Sequence, residues 1–314
     1  MNIQQLRYVC AVAQHKLNIS AAAQALYTSQ PGVSKQIRLF EEELGLEVFV
    51  RQGKRLVGIT TPGQQVLRIA QRMLKDTDNL KAVAEEFSNQ SRGTLSIATT
   101  HTQARYTLPS VIAKFLQHFP EVKLEIHQTN PKQACEMVLA GAADFVITTE
   151  AVNEHDELIS LPCHQWNRAV IAPLKHPILK TSALTLELIA QWPLITYDAA
   201  FSGRNQVNKA FLGRGLKPNI ILTALDADVI KTYVGMGLGI GIIARMAYDS
   251  VMDKHLGMLD AAHLFESATT RIGIRKDAWL RGYTYAFIEL FAPHLSREII
   301  ESALSGYQGS DESI

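Results

Sequence analysis

Cysteine is scarce: three residues in a chain of 314, at positions 10, 135 and 163. Odd in number and far apart, Cys10, Cys135 and Cys163 make neither a disulfide framework nor a metal-ligand spacing, and read as buried thiols in a reducing compartment. No apolar run approaches the roughly 20 residues that cross a bilayer, and the N-terminus has no apolar signal core. A cytoplasmic protein with no membrane partner is the expectation. An excess of one charge is also missing, since 31 Lys and Arg face 30 Asp and Glu for a net +1. Global basicity therefore does not announce nucleic acid. The spacing patterns of catalysis are absent as well: no GxSxG, HExxH or Walker A, and no GxGxxG between a strand and a helix. Ten histidines show no ligand spacing. The reading is a non-enzyme without metal or cofactor.

What is present is apolar material, 47% of residues, and only 19% charge, which excludes a disordered chain. Two or three folded units suit this length. Charge is uneven along the chain. Residues 1–60 hold seven cations (Arg7, Lys16, Lys35, Arg38, Arg51, Lys54, Arg55) against four acids (Glu41, Glu42, Glu43, Glu47), a local excess that suits phosphate contact by a small head.

That head has helical rhythm. Leu6, Val9, Cys10, Val12 and Ala13 predict an amphipathic helix over 3–14. Asn18 or Ser20 caps a second helix, whose Ala21, Ala22 and Ala23 permit close packing. Thr28 and Ser29 offer caps for a third, and Pro31 falls in its first turn, where a missing N–H is harmless. Val33, Ile37, Phe40 and Leu44 form its predicted buried stripe, and Gly45 stops it. Gln30, Ser34, Lys35 and Arg38 face the other way as amide, hydroxyl and cationic donors, the types that base edges and phosphates accept from. With the cap residue Ser29 and with Pro31 they make the DNA-contact set of a helix-turn-helix. Two β-prone runs around Gln52-Gly53 predict a hairpin wing. Arg51, Lys54 and Arg55 at its tip are candidates for backbone phosphate.

A helix opens at Thr61-Pro62 and runs to Ser88 with apolar residues at 3/4 spacing. At 1.5 Å per residue it is about 40 Å long, too long for the head to cover. A coiled-coil dimer places two recognition helices for successive major grooves; packing against the chain's own larger body is the alternative. Residues 88–93 read as a hinge.

Beyond it, strands and helices alternate, predicting open, largely parallel sheets in two α/β lobes with a cleft between them. The domain expectation is 1–60 for the head, 61–92 for linker helix and hinge, 93–163 with 266–296 for one lobe, 164–265 for the other, and 297–314 for a C-terminal helix and tail. Ligands in such sheets sit beyond strand C-termini, where helices begin. Three loops qualify, at Thr99–Gln103, at Thr148-Thr149 and at Phe201–Arg204. Their hydroxyls, amide and helix N-termini suit a small anion. These donors are mostly neutral, which suits fully ionised sulfate; the bland reading is that the threonines only cap helices. The glycine-rich run Gly235, Gly237, Gly239, Gly241 precedes a strand and reads as tight packing. Asp226 and Asp228 read as helix capping rather than a metal site.

The whole chain resembles the LysR-type transcriptional regulators, most closely the branch of CysB and Cbl. The residues that carry this are Leu26-Tyr-Thr-Ser-Gln-Pro-Gly-Val-Ser34-Lys35, Ile97-Ala-Thr-Thr-His-Thr-Gln-Ala-Arg-Tyr106, Asp226-Ala-Asp-Val-Ile-Lys-Thr-Tyr233 and Phe291-Ala-Pro-His-Leu295. The resemblance implies an N-terminal winged helix-turn-helix, a long dimerising linker helix and a two-lobed effector domain like a type II periplasmic binding protein. It implies an effector site at Thr100, Thr102, Gln103 and Thr149, with Trp166 lining the cleft. A hydroxyl residue is implied before Gly203, threonine in the branch and Ser202 here. The implied partners are double-stranded promoter DNA, RNA polymerase, further copies of the chain as dimer or tetramer, and a small effector. That effector is sulfate, thiosulfate, an acetylserine or adenosine phosphosulfate, and the regulon is sulfur assimilation and cysteine biosynthesis or, as in Cbl, sulfonate use. A scavenging solute-binding protein and a cleft enzyme are the readings from other classes.

Overall fold

The computed structural model describes residues 1–53, 55–88, 92–198 and 202–306. The chain divides into two compact units, Met1–Ser88 and Asn89–Ile314.

In the first unit, α1 (Ile3–Gln14) starts from Asn2, whose side chain accepts the Gln5 N–H while Gln5 returns the bond to the Asn2 N–H, a reciprocal cap. α2 (Ile19–Ala25) takes Asn18, not Ser20, as its cap. α3 (Gln30–Leu44) is capped by Ser29, holds Pro31 in its first turn, and ends at Gly45 with φ +66°, the left-handed conformation that glycine adopts freely. Val33, Ile37 and Phe40 are buried with Ala22, Ala23, Val9 and Val12. Leu44 departs from the predicted stripe and is 37% exposed. Glu41 is the buried residue of that last turn instead. Its carboxylate accepts the Val48 and Phe49 N–H groups at 2.9 and 3.1 Å and pairs with Arg51. Local backbone donors thus replace an apolar neighbour. The wing is an antiparallel hairpin, β1 (Phe49–Gln52) and β2 (Arg55–Ile59).

Thr60 caps α4 (Thr61–Ser88), its hydroxyl accepting the Gly63 N–H at 2.9 Å. Leu67 and Ala70 join the core of the head, whereas Ile69, Met73 and Leu80 are 50%, 40% and 72% exposed. The apolar stripe of the long helix therefore outruns the head that anchors it.

The second unit runs β3 (Gly93–Thr99), α5 (Leu108–His118), β4 (Val122–Gln128), α6 (Pro131–Leu139), β5 (Phe145–Thr148), β6 (Leu158–Trp166), β7 (Arg168–Pro173), α7 (Leu186–Ala190), β8 (Leu194–Tyr197), α8 (Ser202–Gly213), β9 (Ile220–Ala224), α9 (Ala227–Gly235), β10 (Ile240–Ala244), β11 (Leu256–Asp260), β12 (Ala268–Arg275), α10 (Gly282–Phe291) and α11 (Arg297–Ser305). Two five-stranded sheets result, ordered β4-β3-β5-β12-β6 and β11-β7-β10-β8-β9. Both are mixed rather than largely parallel: β12 is antiparallel to β5 and β6, and β7 is antiparallel to β10 and β11. The chain leaves the first sheet through Asn167 and returns to it at β12 in the opposite direction. Strand β6 escaped prediction because Pro162 interrupts it. The proline sits at a register shift opposite Arg271, on the last strand of the sheet, where a missing N–H is tolerated.

Leu95, Ile97, Phe115, Phe145, Ile272 and Phe287 fill the first lobe, and Val170, Leu194, Phe211 and Ile242 lie in the second. Gly239 confirms the packing reading of the glycine-rich run, since a Cβ there would lie 2.3 Å from the Pro193 carbonyl oxygen. That same oxygen accepts the Ile240 N–H at 2.9 Å. Gly239→Ala is expected to destabilise the unit by about 1–3 kcal/mol, the usual range for overpacking; denaturant midpoints measure it.

Candidate functional site

Two sites emerge, one in each unit. On α3 of the first, Gln30, Pro31, Ser34, Lys35 and Arg38 line one shallow groove with Leu39 and Glu42. Ser29, Gln30, Pro31, Lys35 and Arg38 are exposed and Ser34 is half-buried. The predicted polar face is therefore assembled as one surface. Its donors project because Val33, Ile37 and Phe40 hold the opposite face in the core. On the wing, Arg55 is exposed. Arg51 is not a free phosphate grip, because its guanidinium is committed to Glu41 in a pair beneath the hairpin. Lys54 lies outside the described residues.

In the second unit a cavity of about 50 Å³ opens between the lobes, lined by Thr100, Thr102, Gln103, Thr149, Trp166, Arg168 and Tyr197 among others. Five of the six predicted effector residues meet there. The sixth, Ser202, opens α8, and its side chain lies outside the described residues. Thr100 and Thr102 follow β3, Gln103 begins a π-helical turn over Gln103–Thr107, and Thr149 follows β5. Strand C-termini of the first lobe thus deliver hydroxyls to the cleft, as open α/β sheets do. A wide π turn takes the place of the helix start predicted at Gln103, and such turns recur at functional sites.

Polar satisfaction in the cavity is lopsided. Gln103 is 2% exposed; its amide Nε2 donates to Thr270 Oγ1 at 3.0 Å, while Oε1 has no partner among the described residues. Exchanging the two amide atoms lets the Thr270 hydroxyl donate to Oε1 and frees an N–H pair for a ligand. The buried Trp166 Nε1–H also lacks an acceptor among the described residues. Tyr197, from the second lobe, accepts the Ala244 N–H at 3.3 Å and is hydrogen-bonded to Thr102 from the first; burial pushes its phenol up.

Arg168 is the residue sequence reasoning passed over. It stands two positions after Trp166, is 3% exposed, and donates to the Glu266 carbonyl oxygen at 2.9 Å and to Gln206 Oε1 at 2.6 Å. Its guanidinium lies 5.5 Å from the centre of the Trp166 ring. To the mostly neutral donors of the three loops it adds a permanent buried cation in the cavity wall. The available signal was an arginine beginning a strand that is otherwise wholly apolar.

A second bridge joins the lobes beside the cavity. Asp228, in the first turn of α9, takes His101 Nε2 at 3.0 Å, the Tyr106 hydroxyl and Lys231 Nζ at 3.1 Å. Burial works to raise the Asp228 carboxyl, but those hydrogen bonds outweigh it and bring it to about 2. Tyr106 is pushed up to about 12, by burial first and then by the carboxylate. His101, Asp226 and Asp228 lie close enough to suggest a cation site. Lys231 and Arg105 on the same carboxylate oppose one, and Asp226 is occupied as the α9 cap, accepting the Val229 N–H at 2.8 Å. The capping reading stands.

Known proteins repeat both units. Residues 3–64 match the bacterial regulatory helix-turn-helix protein, lysR family, and residues 88–296 match the LysR substrate binding domain. The chain is 50% identical over 304 residues to the HTH-type transcriptional regulator SsuR of Burkholderia cenocepacia, covering 97% of this chain and 99% of that protein. It is 48% identical over 312 residues to CysB of the same organism, covering 99% of this chain and 100% of that one. A solved structure of the cofactor-binding domain of the Cbl transcriptional regulator superposes with TM-score 0.66 at 42% identity, over 69% of this chain and 95% of that one. This chain belongs to the LysR family of transcriptional regulators. Those regulators bind promoter DNA, form oligomers and answer to a small molecule; they are not enzymes.

Proposed function

We propose that the protein is a CysB-like regulator of sulfur assimilation and cysteine biosynthesis whose effector presents a compact oxyanion, sulfate or thiosulfate in the first place, to the cavity between the lobes. The carrying observation is the buried Trp166 indole N–H, which has no acceptor among the described residues, in a cavity wall that also holds threonine hydroxyls and the buried Arg168 cation. A ligand rich in acceptor oxygens gives that indole its missing acceptor, and a buried donor left bare is costly. A cavity of about 50 Å³, far below the ~300 Å³ at which drug-sized pockets begin, supports a small group. Likeness to Cbl supports a second reading, a regulator of sulfonate use, in which a sulfonate head enters the same cavity.

The head is inferred to read promoter DNA through Gln30, Ser34, Lys35 and Arg38, with Arg55 and Lys54 on phosphate. The exposed stripe of α4 supports pairing with a second copy, and a tetramer formed from two such pairs is the proposed assembly, with RNA polymerase its partner at the promoter. For the effector to act it must bind one arrangement of the assembly better than another. Thr102–Tyr197 and His101–Asp228 are contacts that opening or closing of the cleft would make or break.

The test removes cavity donors while sparing the head. Thr102→Ala combined with Gln103→Ala is expected to weaken the effector response at least tenfold and to leave basal DNA binding intact. Operator binding with and without ligand measures this, and an undiminished response rules out the site. Calorimetry against sulfate, thiosulfate, N-acetylserine, O-acetylserine, adenosine phosphosulfate and an alkanesulfonate separates the two regulons.

A further inference from the structure

The segment that follows β3 faces two ways. Thr100, Thr102 and Gln103 line the cavity, while His101, Arg105 and Tyr106 turn to a carboxylate on the second lobe. Asp228 Oδ2 meets His101 Nε2 at 3.0 Å and lies 3.7 Å from Arg105 Nε, and Asp228 Oδ1 accepts the Tyr106 hydroxyl. An acid in the first turn of a helix needs no partner beyond the helix dipole, and the α9 cap is already made by Asp226. Both oxygens of Asp228 nevertheless meet the opposite lobe. The carboxylate is held from behind by the buried Lys231, which reaches Asp228 at 3.1 Å, Asp253 at 3.2 Å and the Ala247 carbonyl at 3.0 Å. On the first lobe, Gln128 at the end of β4 bonds His101 Nδ1 at 3.1 Å, and the Gln103 carbonyl accepts the Leu108 N–H to close the π turn. The Tyr106 ring packs against the core of the second lobe, with Lys231 Nζ 5.0 Å from its centre.

We infer that Asp228 is a positioning residue for the effector: by holding His101 and Tyr106 it fixes the segment that presents Thr100, Thr102 and Gln103, and keeps that segment against the lobe that supplies Arg168 and Tyr197. The inference rests on the effector reading of the cavity and adds to it a determinant of affinity that lies outside the cavity wall. The direction of the effect follows from linkage. Donors from both lobes converge on one small cavity, so the effector binds best when the lobes are together, and whatever holds them together raises its affinity. A carboxylate suits that task. Brought to about 2, it keeps its charge throughout the neutral range, and hydrogen bonds to a charged group are stronger than those between neutral ones.

Variants of the full-length protein, titrated with thiosulfate and with sulfate, test it. His101→Ala and Asp228→Ala are each expected to weaken binding about tenfold, the scale of a hydrogen bond to a charged group. The loss should come through faster dissociation, because a contact between the lobes resists opening. The double variant should bind no more weakly than Asp228→Ala alone, since the histidine acts through the carboxylate. His101→Gln keeps a side-chain N–H donor and should recover most of the affinity. Tm should hold in Asp228→Ala, because Lys231 retains Asp253 and the Ala247 carbonyl and no buried cation is stranded. Wild-type affinity in Asp228→Ala overturns the inference, as do losses that multiply in the double variant or that lie only in the association rate. If Asp228→Ala loses Tm together with binding, the half-buried His101 decides: a folded His101→Ala protein with wild-type affinity overturns the inference equally. A wild type that binds neither anion sinks the effector reading itself, and this inference with it, before any variant is compared.

Discussion

Arg168→Met should lower affinity for sulfate or thiosulfate about a hundredfold, close to 3 kcal/mol. Each hydrogen bond to a charged group contributes about 1.5–3 kcal/mol, and a unit charge pair 4 Å apart at an effective dielectric of about 20 contributes some 4 kcal/mol more. Desolvation of the anion offsets part of that sum. Methionine keeps much of the volume, so the cavity retains its shape while the cation goes. The Glu266 carbonyl and Gln206 Oε1 lose their donor, and a fall in stability of about 1–3 kcal/mol accompanies the change. Titration calorimetry on the folded variant, with its Tm as control, separates the two effects. Arg168→Lys should fall between variant and wild type, because a point charge survives without the planar fork. A folded Arg168→Met protein that binds sulfate as the wild type does would move the anion's charge partner elsewhere.

The second large effect belongs to the head. Lys35→Ala with Arg38→Ala should abolish promoter footprints, a loss of about a hundredfold or more, and leave oligomerisation unchanged. Both side chains line the α3 groove and are exposed, so their loss removes no core contact. The apolar stripe of α4 is untouched. Footprinting and size-exclusion chromatography on the same preparation give the two readouts. Retained site-specific binding would take recognition away from α3. Arg51 makes the comparison instructive: an arginine in the same unit, equally a candidate by sequence, is occupied by Glu41 and belongs to the fold.

Much of the architecture was legible because it follows from local periodicity and capping. The α3 stripe, the Ser29 cap and the Gly45 stop are properties of neighbouring residues, as are β8 and β10, whose runs are short and apolar, and β4, whose apolar residues alternate with polar ones. Strands β6 and β11 were not legible, one broken by Pro162 and the other short and interrupted by Gly257; each exists because a partner strand supplies its hydrogen bonds. The exposure of Leu44 was hidden for a similar reason, since the buried place in that turn goes to a carboxylate whose partners, Val48 and Phe49, come from beyond the helix.

In the cleft, the sequence by itself determined the kinds of donor and the loops that carry them: Thr100, Thr102 and Gln103 after one strand, Thr149 after another. Only the tertiary structure decided that these loops converge, that Trp166 Nε1 has no acceptor among the described residues, and that Arg168 is buried in the same cavity wall. The physical reason is that burial and unmet hydrogen bonds are relations between segments distant in sequence. Gln103 and Thr270 meet across 167 positions, and His101 and Asp228 across 127. Residue types fix what a side chain offers; packing fixes whether the offer is already taken.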